Sequence, residues 1–332
     1  MTTLKQITDK QEWDDYILEN SGHPLQLWGW GEVKSGHGWK AHRLFCINNN
    51  EKVVGAVQIL VRRLPLPMRS LAYIPRGPVA EEINRDELLS LLAKYVKKTY
   101  HSVALTIEPD FEKYSVPKGW RKSSNHILPA RTILLDLSKP ETELLKVMEP
   151  NTRRYIRRSA SESILIKKVN NRDELNDCLA VYRETSKRAK FELHGNQYYY
   201  DVFDKLGDYS VLFVAYTNNQ PIAFLWLAIS SETAFELYGG MTELGRKLHA
   251  SYALKWHAIR KCREWGLSRY DFGGLIDGGV TAFKKGWAKN ETIFAGTFDK
   301  PLSSSYVIWN RGLPTAKKIV RSSKKIFKRK SK

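Results

Sequence analysis

An order of secondary-structure elements that occurs twice constrains the fold of this chain more than any other feature of its sequence. The order is clearest in residues 210–287, where two apolar runs flank the turn sequence Asn218-Asn219-Gln220-Pro221. Such a pattern predicts a β-hairpin. A third strand, a helix and a fourth strand are predicted after the hairpin, at residues 234–238, 253–265 and 269–274. Together these elements form a compact α+β module.

The same order of elements occurs earlier in the chain. Strands are predicted at residues 42–47, 53–61, 70–74 and 102–107, with a helix at residues 86–100 before the last of them. The chain is therefore predicted to contain a duplicated module, because two copies of one order are improbable in a single undivided domain.

The repeat predicts two domains with a seam near residues 136–140. We assign residues 1–138 to an N-terminal domain, residues 139–298 to a C-terminal domain and residues 299–332 to a basic C-terminal segment. One interpretation of the last segment is that the chain returns there to the first domain. Because ligand sites favour the interfaces between domains, we expect the substrate in a cleft between the two halves.

Charge and cysteine usage limit the partners and the compartment. The net charge of +19 indicates anionic partners such as RNA, phosphorylated substrates or an acidic membrane surface. The cysteines Cys46, Cys178 and Cys262 are odd in number and widely spaced, which is typical of a reducing cytosol, and we predict that all three thiols are buried. The N-terminus lacks an apolar secretory core, and no apolar run approaches the ~20 residues of a membrane span. We therefore expect a cytoplasmic protein.

The repeated order resembles the fold of the Gcn5-related (GNAT) acyltransferases. Ordinary members of that superfamily hold the pyrophosphate of acetyl-CoA in a glycine-rich turn at the start of the long helix, where free backbone N–H groups face the anion. The corresponding stretches here are Gly245-Arg246-Lys247-Leu248-His249-Ala250 and Glu82-Ile83-Asn84-Arg85-Asp86, and neither has the glycine pattern. We therefore predict that acetyl-CoA is not the donor.

A set of ordered motifs extends the resemblance to a narrower family. The motifs are Leu25-Gln26-Leu27-Trp28 with Val33-Lys34, Thr152-Arg153-Arg154-Tyr155-Ile156-Arg157-Arg158-Ser159-Ala160, Tyr238-Gly239-Gly240, Tyr270-Asp271-Phe272-Gly273-Gly274 and Phe283-Lys284-Lys285-Gly286-Trp287. With them the chain resembles the Fem-type (FemA, FemB and FemX) aminoacyltransferases, which build the interpeptide bridges of peptidoglycan.

This resemblance implies a cytosolic enzyme of cell-wall biogenesis, and so of cell shape. It would take an amino acid from aminoacyl-tRNA and attach it to the stem peptide of a precursor, either UDP-MurNAc-pentapeptide or lipid II. No long heptad-bearing insertion follows Arg158, so we expect two tandem GNAT-like modules of the compact FemX type, without a coiled-coil arm. We also expect a monomer that needs no cofactor, since no metal-ligand spacing, nucleotide P-loop or Ser-His-Asp arrangement is visible.

Aminolysis of an ester needs a neutral amine and a donor for the oxyanion that forms on the ester carbonyl. Lys284, which follows Phe283, matches the family's Phe-Lys pair and is the oxyanion candidate, with a solvated loop lysine as the alternative. The family commonly has Asp-Pro after the last strand of its first half, where this chain has Glu108-Pro109. Glu108 is the candidate proton acceptor, although it is one methylene longer, and the tRNA ribose hydroxyl could serve instead.

Four further residues match positions that contact the precursor in the family. Lys34 matches a lysine on the diphosphate, and Tyr238 matches a substrate-contacting tyrosine. The second phosphate ligand of the family is an arginine four residues before a tyrosine, but here His194 precedes Tyr198 at that spacing. A free imidazole is largely neutral at pH 7, which weakens anion binding, and Arg188 or Lys190 could substitute. The alternative for Lys34 is an ordinary lysine on a helix surface. The alternative for Tyr238 is a tyrosine that only packs at the end of a strand.

Two basic segments are candidates for polyanion binding. Arginines at i, i+1, i+4 and i+5 of a predicted helix form one guanidinium-lined face, namely Arg153, Arg154, Arg157 and Arg158. The tail, residues 317–330, is basic throughout with a narrow apolar stripe, which suits tRNA or an acidic membrane face, with disorder as the alternative. A solvated surface is the alternative for the arginine face.

Two other functions remain open at the level of sequence. One is an acyl-CoA-dependent N-acyltransferase on the same fold, which predicts tight binding of CoA. The other is a non-enzymatic RNA-binding module, which the net charge of +19 alone supports. Thermal stability in the presence of CoA and of charged tRNA distinguishes these functions from an aminoacyltransferase.

The tail gives the first testable prediction. Because binding of tRNA by basic segments releases counterions, tRNA affinity should fall steeply with salt, and deletion of residues 315–332 should flatten the slope of log affinity against log salt. The measurement is a salt titration of tRNA binding by the full chain and the truncated chain. Unchanged tRNA binding together with lost association with anionic liposomes would instead assign the tail to a membrane.

Overall fold

The structure is a computed structural model that describes residues 2–312 except 114, 116, 124, 277 and 278. The basic tail of the first prediction, residues 315–332, lies outside the described residues. In the part of the chain that is described, none of the helices is both long enough and apolar enough to cross a membrane.

The secondary structure alternates short helices with strands in both halves of the chain. The elements up to residue 136 are β1 (Thr3–Gln6), α1 (Lys10–Glu19), α2 (Trp28–Ser35), β2 (Lys40–Ile47), β3 (Val53–Arg63), β4 (Ser70–Pro75), β5 (Val79–Ala80), α3 (Glu82–Tyr100), β6 (Ser102–Glu108), β7 (Arg121–Lys122), β8 (Arg131–Thr132) and β9 (Leu134–Asp136). Those after it are α4 (Glu141–Val147), α5 (Pro150–Ala160), β10 (Leu165–Lys168), α6 (Arg172–Ala189), α7 (Asn196–Leu206), β11 (Ser210–Thr217), β12 (Gln220–Ile229), β13 (Thr233–Met241), α8 (Glu243–Lys247), α9 (Ala250–Glu264), β14 (Arg269–Asp271), α10 (Gly279–Lys285), β15 (Thr292–Ile293) and β16 (Phe298–Pro301).

The first of two contact-defined units is built around Gly38–Leu128, with the described residues up to Ile7 and from Ala295 onward. Its sheet has the order β1-β2-β3-β4-β6-β16-β7, and β5 pairs with β3. The pair β4–β6 is parallel, whereas β16 runs antiparallel to β6. Helix α3 packs its apolar side on this sheet because Leu88, Leu92 and Val96 recur at helical spacing, and all three are fully buried.

The second unit consists of Thr8–His37 and Pro129–Phe294. Its sheet has the order β10-β11-β12-β13-β14-β9, in which β13 and β14 are parallel. Helix α9 buries Leu254, Ile259 and Cys262 in the core of this unit. These residues recur at helical spacing, so one side of α9 faces the core.

The two sheets repeat one arrangement, and the predicted fold is confirmed. In each unit an antiparallel strand pair leads into a third strand, a long helix and a strand parallel to the third, which makes two tandem GNAT-like modules of the α+β class. The turn predicted at Asn218 connects strands β11 and β12, and a turn at Glu51 connects β2 and β3 in the same way; both residues have a positive φ. No coiled-coil arm occurs among the described residues.

Some element boundaries differ from the predictions. Helix α3 begins at Glu82, four residues earlier than predicted. Strand β14 ends at Asp271, since Gly273 and Gly274 have φ values of 70° and 80°, in the left-handed region that ends a strand. Lys284 lies in helix α10 and not in a loop. The three cysteines are buried and free, as predicted.

Each contact unit combines separate stretches of the chain, and the continuous domains that the sequence suggests stay a prediction. Helix α2 packs on α7 so closely that a Cβ added at Gly29 would lie 2.2 Å from the carbonyl oxygen of Lys205. Trp13 in α1 is fully buried and donates a hydrogen bond of 2.9 Å from its indole N–H to the carbonyl oxygen of Gln26. The first of these contacts joins the segment Thr8–His37 to the rest of the second unit, and the second lies within the segment.

The close approach at Gly29 gives a prediction about stability. Gly29→Ala forces backbone to separate from backbone, so we expect it to lower the free energy of unfolding by roughly 1–3 kcal/mol. Gly195→Ala is the matched control, because nothing lies within 4 Å of a Cβ added there and its φ of −64° suits any residue. Denaturant titration of both variants measures the difference, and equal stability would contradict the contact.

Candidate active site

Lys284 is held in one orientation by backbone carbonyl groups. Its ammonium donates hydrogen bonds of 3.2 Å and 2.9 Å to the carbonyl oxygens of Gly273 and Gly274. A lysine ammonium has three donors, so these two bonds leave one for a ligand. The neighbouring Lys285 takes another direction and forms an exposed ion pair with Glu291 at 2.6 Å. Phe283 packs edge-on against Tyr252, with ring centroids 4.9 Å apart.

The turn that supplies these carbonyl groups is fixed from two sides. A Cβ at Gly273 would lie 2.2 Å from the carbonyl oxygen of Glu236, so the turn fits closely against strand β13 only because residue 273 is glycine. On the other side, the buried carboxylate of Asp271 accepts hydrogen bonds from Thr132 Oγ1 at 2.5 Å and from the backbone N–H of Gly273 at 2.8 Å. The position of the Lys284 ammonium therefore depends on the end of strand β14.

A cavity of about 440 Å³ in the second unit opens beside Lys284. Apolar and aromatic side chains form much of its wall, among them Phe224, Leu254 and Phe283. The charged residues on it are Arg188, Glu236, Lys255 and Lys284. An apolar cavity with a few convergent charged groups is the usual form of a small-molecule site.

Glu236 and Lys255 form a buried ion pair on this cavity, which the sequence analysis did not identify. The Lys255 ammonium and the Tyr270 hydroxyl both donate to Glu236 Oε1, the latter at 2.8 Å. Burial lowers the pKa of Lys255 to about 8, although the negative charge of Glu236 opposes the shift. Each residue alone left a local signal in the sequence, because apolar neighbours flank Glu236 in strand β13 and Lys255 in helix α9, but their pairing left none.

The residues predicted to contact the precursor converge on Tyr198. The Lys34 ammonium donates a hydrogen bond of 2.8 Å to the Tyr198 hydroxyl, and the Tyr238 hydroxyl donates to the same oxygen at 3.2 Å. The His194 ring stacks on the Tyr198 ring at a centroid distance of 4.1 Å. His37 also contacts this ring, edge-on at 4.8 Å. The structure thus brings together four candidates from three distant stretches of the chain.

The electrostatics of this cluster favour a neutral histidine. Burial lowers the pKa of His194 below its ordinary value, and the nearby charges of Lys34 and His37 lower it further. Burial also raises the pKa of Tyr238 well above its ordinary value, so its hydroxyl remains a donor.

Two other cations were proposed as substitutes for His194 in binding phosphate. Arg188 donates a hydrogen bond of 2.7 Å to the carbonyl oxygen of Met241, and Lys190 is exposed at the end of α6.

Glu108 lies in the first unit and accepts four hydrogen bonds. The donors are the Tyr73 hydroxyl at 2.5 Å, Thr297 Oγ1 at 2.7 Å and the backbone N–H groups of Ile127 and Leu128 at 2.8 Å and 3.0 Å. The residue is only 2% exposed. Because a carboxylate has about four lone-pair sites, these donors occupy it fully, which counts against its predicted role as a proton acceptor. That role stays a prediction.

The arginine face lies on helix α5, and its members differ in their surroundings. Arg154, Arg157 and Arg158 are exposed, whereas Arg153 donates to the carbonyl oxygens of Leu145 and Met148 near the end of α4. On the same helix, the Tyr155 ring stacks on His249 at 4.2 Å. A second cavity, of about 370 Å³, is lined by aromatic and basic side chains that include Tyr155, Arg246, His249 and Tyr252.

The described part of the chain contains no set of side chains that could bind a metal ion. Among those residues, no group of three or more histidine, cysteine, aspartate and glutamate side chains is placed so that it could hold a metal ion. The buried thiols have raised pKa values, chiefly because of burial, so they are poor nucleophiles.

The tandem modules and the cavity beside Lys284 define the class of this protein, which is a double GNAT-like fold with a charged cavity in its second unit. The chain belongs to the FemAB family, whose model matches residues 8–116, 118–223 and 218–310.

Individual relatives agree with this assignment. The chain is 23% identical over 387 aligned positions to the lipid II:glycine glycyltransferase of Staphylococcus aureus strain MRSA252, covering 88% of this chain and 91% of that protein. The crystal structure of FemX superimposes with a TM-score of 0.80 at 21% identity, covering 90% of this chain and 97% of FemX. A tandem GNAT protein from the clavulanic acid biosynthesis pathway superimposes with a TM-score of 0.54 at 11% identity, covering 92% of this chain and all (100%) of that one. The predicted family is confirmed.

Proposed function

We propose that this protein is a tRNA-dependent aminoacyltransferase that transfers an amino acid from aminoacyl-tRNA to the stem peptide of a peptidoglycan precursor. The observation that carries the proposal is the ammonium of Lys284, which is fixed by two carbonyl groups and has one donor left beside a largely apolar cavity. Membership of the FemAB family and the likeness to a lipid II:glycine glycyltransferase support the choice of reaction.

In the proposed reaction, an amine of the stem peptide attacks the ester carbonyl that joins the amino acid to tRNA. The carbonyl oxygen becomes an oxyanion, and the free N–H of Lys284 donates to it. Because Gly273 and Gly274 already orient the ammonium, little reorganisation accompanies the development of charge. The wall of the cavity is largely apolar, which suits a substrate that displaces water on binding.

The start of helix α9 supports a donor other than an acyl-CoA. At the place where acyl-CoA enzymes of this fold hold a pyrophosphate, the backbone forms the short helix α8, followed by His249 in the left-handed conformation. The adjacent cavity is lined by the stacked Tyr155 and His249 rings and by the cation Arg246. Aromatic faces beside guanidinium groups are suited to unpaired bases and phosphates, as found at the end of a tRNA.

The Tyr198 cluster supports an acceptor that carries phosphate. Lys34 supplies a fixed cation, because its ammonium donates to the Tyr198 hydroxyl, which in turn accepts a hydrogen bond from Tyr238. Both UDP-MurNAc-pentapeptide and lipid II contain a diphosphate, so the cluster fits either precursor. The lipid-linked acceptor of the Staphylococcus aureus relative favours lipid II.

The role of Lys284 is tested by Lys284→Met. Loss of one oxyanion donor typically lowers turnover by ~10²–10³-fold, with little effect on substrate affinity because the interaction exists only in the transition state. Lys285→Met is the matched control, since its exposed ion pair contributes little. Steady-state kinetics with charged tRNA and a precursor make the comparison. Equal turnover of wild type and Lys284→Met at saturating substrates would contradict the assignment.

The Tyr198 cluster predicts a pH dependence of precursor affinity. Because the pKa of His194 is lowered, its ring is neutral at pH 7. The ring becomes cationic only when the pH falls below the ordinary pKa of a histidine. Affinity for UDP-MurNAc-pentapeptide should therefore rise as the pH falls below ~6.5. His194→Arg should raise affinity at pH 7.5 by about 1 kcal/mol, or roughly fivefold, and flatten this dependence. Calorimetric titrations at several pH values measure both effects, and an unchanged affinity for His194→Arg would exclude His194 from the phosphate site.

A further inference from the structure

One carboxylate on the cavity has no role in the mechanism given above. Glu236 is only 9% exposed, yet it lines the cavity beside Lys284. Its Oε1 accepts hydrogen bonds from both Lys255 and Tyr270. Its Oε2 accepts none from the residues that the structure describes, and it is not sealed from the cavity. A carboxylate oxygen that no protein donor satisfies is free to accept a hydrogen bond from a ligand in the cavity.

We propose that Glu236 Oε2 binds the primary amine of the acceptor and takes its proton before the amine attacks the donor ester. The identity of the ester in this proposal rests on the proposed function. The amine site is inferred from the cavity alone. It makes Glu236 a catalytic residue, and it makes Lys255 and Tyr270 positioning residues.

The position of Glu236 relative to Lys284 suits this role. The turn at Gly273 lies between them, since a Cβ at Gly273 would be 3.2 Å from Glu236 Cβ, and the Lys284 ammonium is 3.2 Å from the Gly273 carbonyl oxygen. The Glu236 carboxylate and the Lys284 ammonium thus lie on either side of this turn, and both residues line the same cavity. An ester carbonyl bound there has a base and an oxyanion donor close at hand, as aminolysis requires.

The partners of Glu236 explain how a charged base persists in this cavity. The Lys255 ammonium offsets its negative charge, and the hydroxyl of Tyr270 fixes the orientation of the carboxylate. The pKa of Tyr270 is raised well above its ordinary value, chiefly by burial, so this hydroxyl stays a donor. Aromatic faces surround Lys255, whose ammonium lies 4.6 Å from the Phe272 ring centroid. Both positioning contacts use Oε1, which leaves Oε2 for the substrate.

The proton and bond changes balance without a co-reactant. The acceptor ammonium gives one proton to Glu236 Oε2, and the neutral amine forms a C–N bond to the ester carbonyl carbon. In the resulting tetrahedral species, the oxyanion accepts a hydrogen bond from Lys284. The C–O bond to the ribose then breaks, and a second proton from the attacking nitrogen passes to the ribose oxygen. The products are an amide, a free ribose hydroxyl and a protonated Glu236, which returns its proton to water.

A structural role for the pair must be separated from a catalytic one. Glu236→Gln alone leaves Lys255 buried without its counter-charge, so it could lose activity by unfolding. The double variant Glu236→Gln with Lys255→Met removes both charges and keeps a side chain of similar length over the aromatic rings. We expect the double variant to unfold at a denaturant midpoint close to that of wild type, and to be more stable than Glu236→Gln.

Two readouts on the wild type and the double variant test the proposal. The first is binding of Nα-acetyl-L-lysine methylamide, whose only ionisable group is a primary amine, measured by NMR titration. The second is turnover with charged tRNA and precursor. We expect the double variant to lose binding of the probe and to lose turnover by ~10²–10⁴-fold, as is typical of a missing general base.

The outcomes are distinct for the two proposals. A stable double variant that binds the probe and turns over like wild type would show that the pair is structural and overturn the proposal. Failure of the wild type itself to bind the probe would also overturn it. Glu236-dependent binding of the probe by a wild type that transfers nothing from charged tRNA would support the amine site and contradict the proposed donor.

Discussion

The turn at the end of strand β14 is the constraint on which the candidate active site depends. Gly273 and Gly274 adopt left-handed conformations there, and the absence of a side chain at residue 273 lets the turn contact strand β13 at Glu236. The turn presents two carbonyl groups to Lys284, and the Asp271 carboxylate fixes it from the strand side. A side chain on either glycine would move the only groups that orient the Lys284 ammonium among the described residues.

The second unit collects its functional groups from distant parts of the chain. Lys34 comes from the segment Thr8–His37, which packs against α7, and it contacts the hydroxyl of Tyr198 on that helix. Tyr238 reaches the same hydroxyl from strand β13, which also carries Glu236. Strand β13 therefore contributes to both the proposed phosphate site and the proposed amine site. In the proposed complex, the diphosphate and the amine of the precursor both bind next to this strand.

The sequence predicts what local patterns determine. The hairpins follow from turn residues between apolar runs, and the buried face of α9 follows from the spacing of Leu254, Ile259 and Cys262. The strands β9 and β16 have three and four residues, too few for a period, and their pairing with β14 and β6 depends on tertiary contacts. Family resemblance singled out Lys34 and Lys284, but the Glu236–Lys255 pair follows from neither periodicity nor motif, since only the folded structure brings a strand residue against a helix residue.

The central claim is that the cavity beside Lys284 transfers an aminoacyl group from tRNA. The most direct measurement is mass spectrometry of UDP-MurNAc-pentapeptide and of lipid II after incubation with the protein and a tRNA pool charged with all amino acids. We expect one of these precursors to gain the mass of one amino acid residue, and to gain it only when the tRNA is charged. No gain with charged tRNA, or an acyl group gained from acetyl-CoA instead, would contradict it.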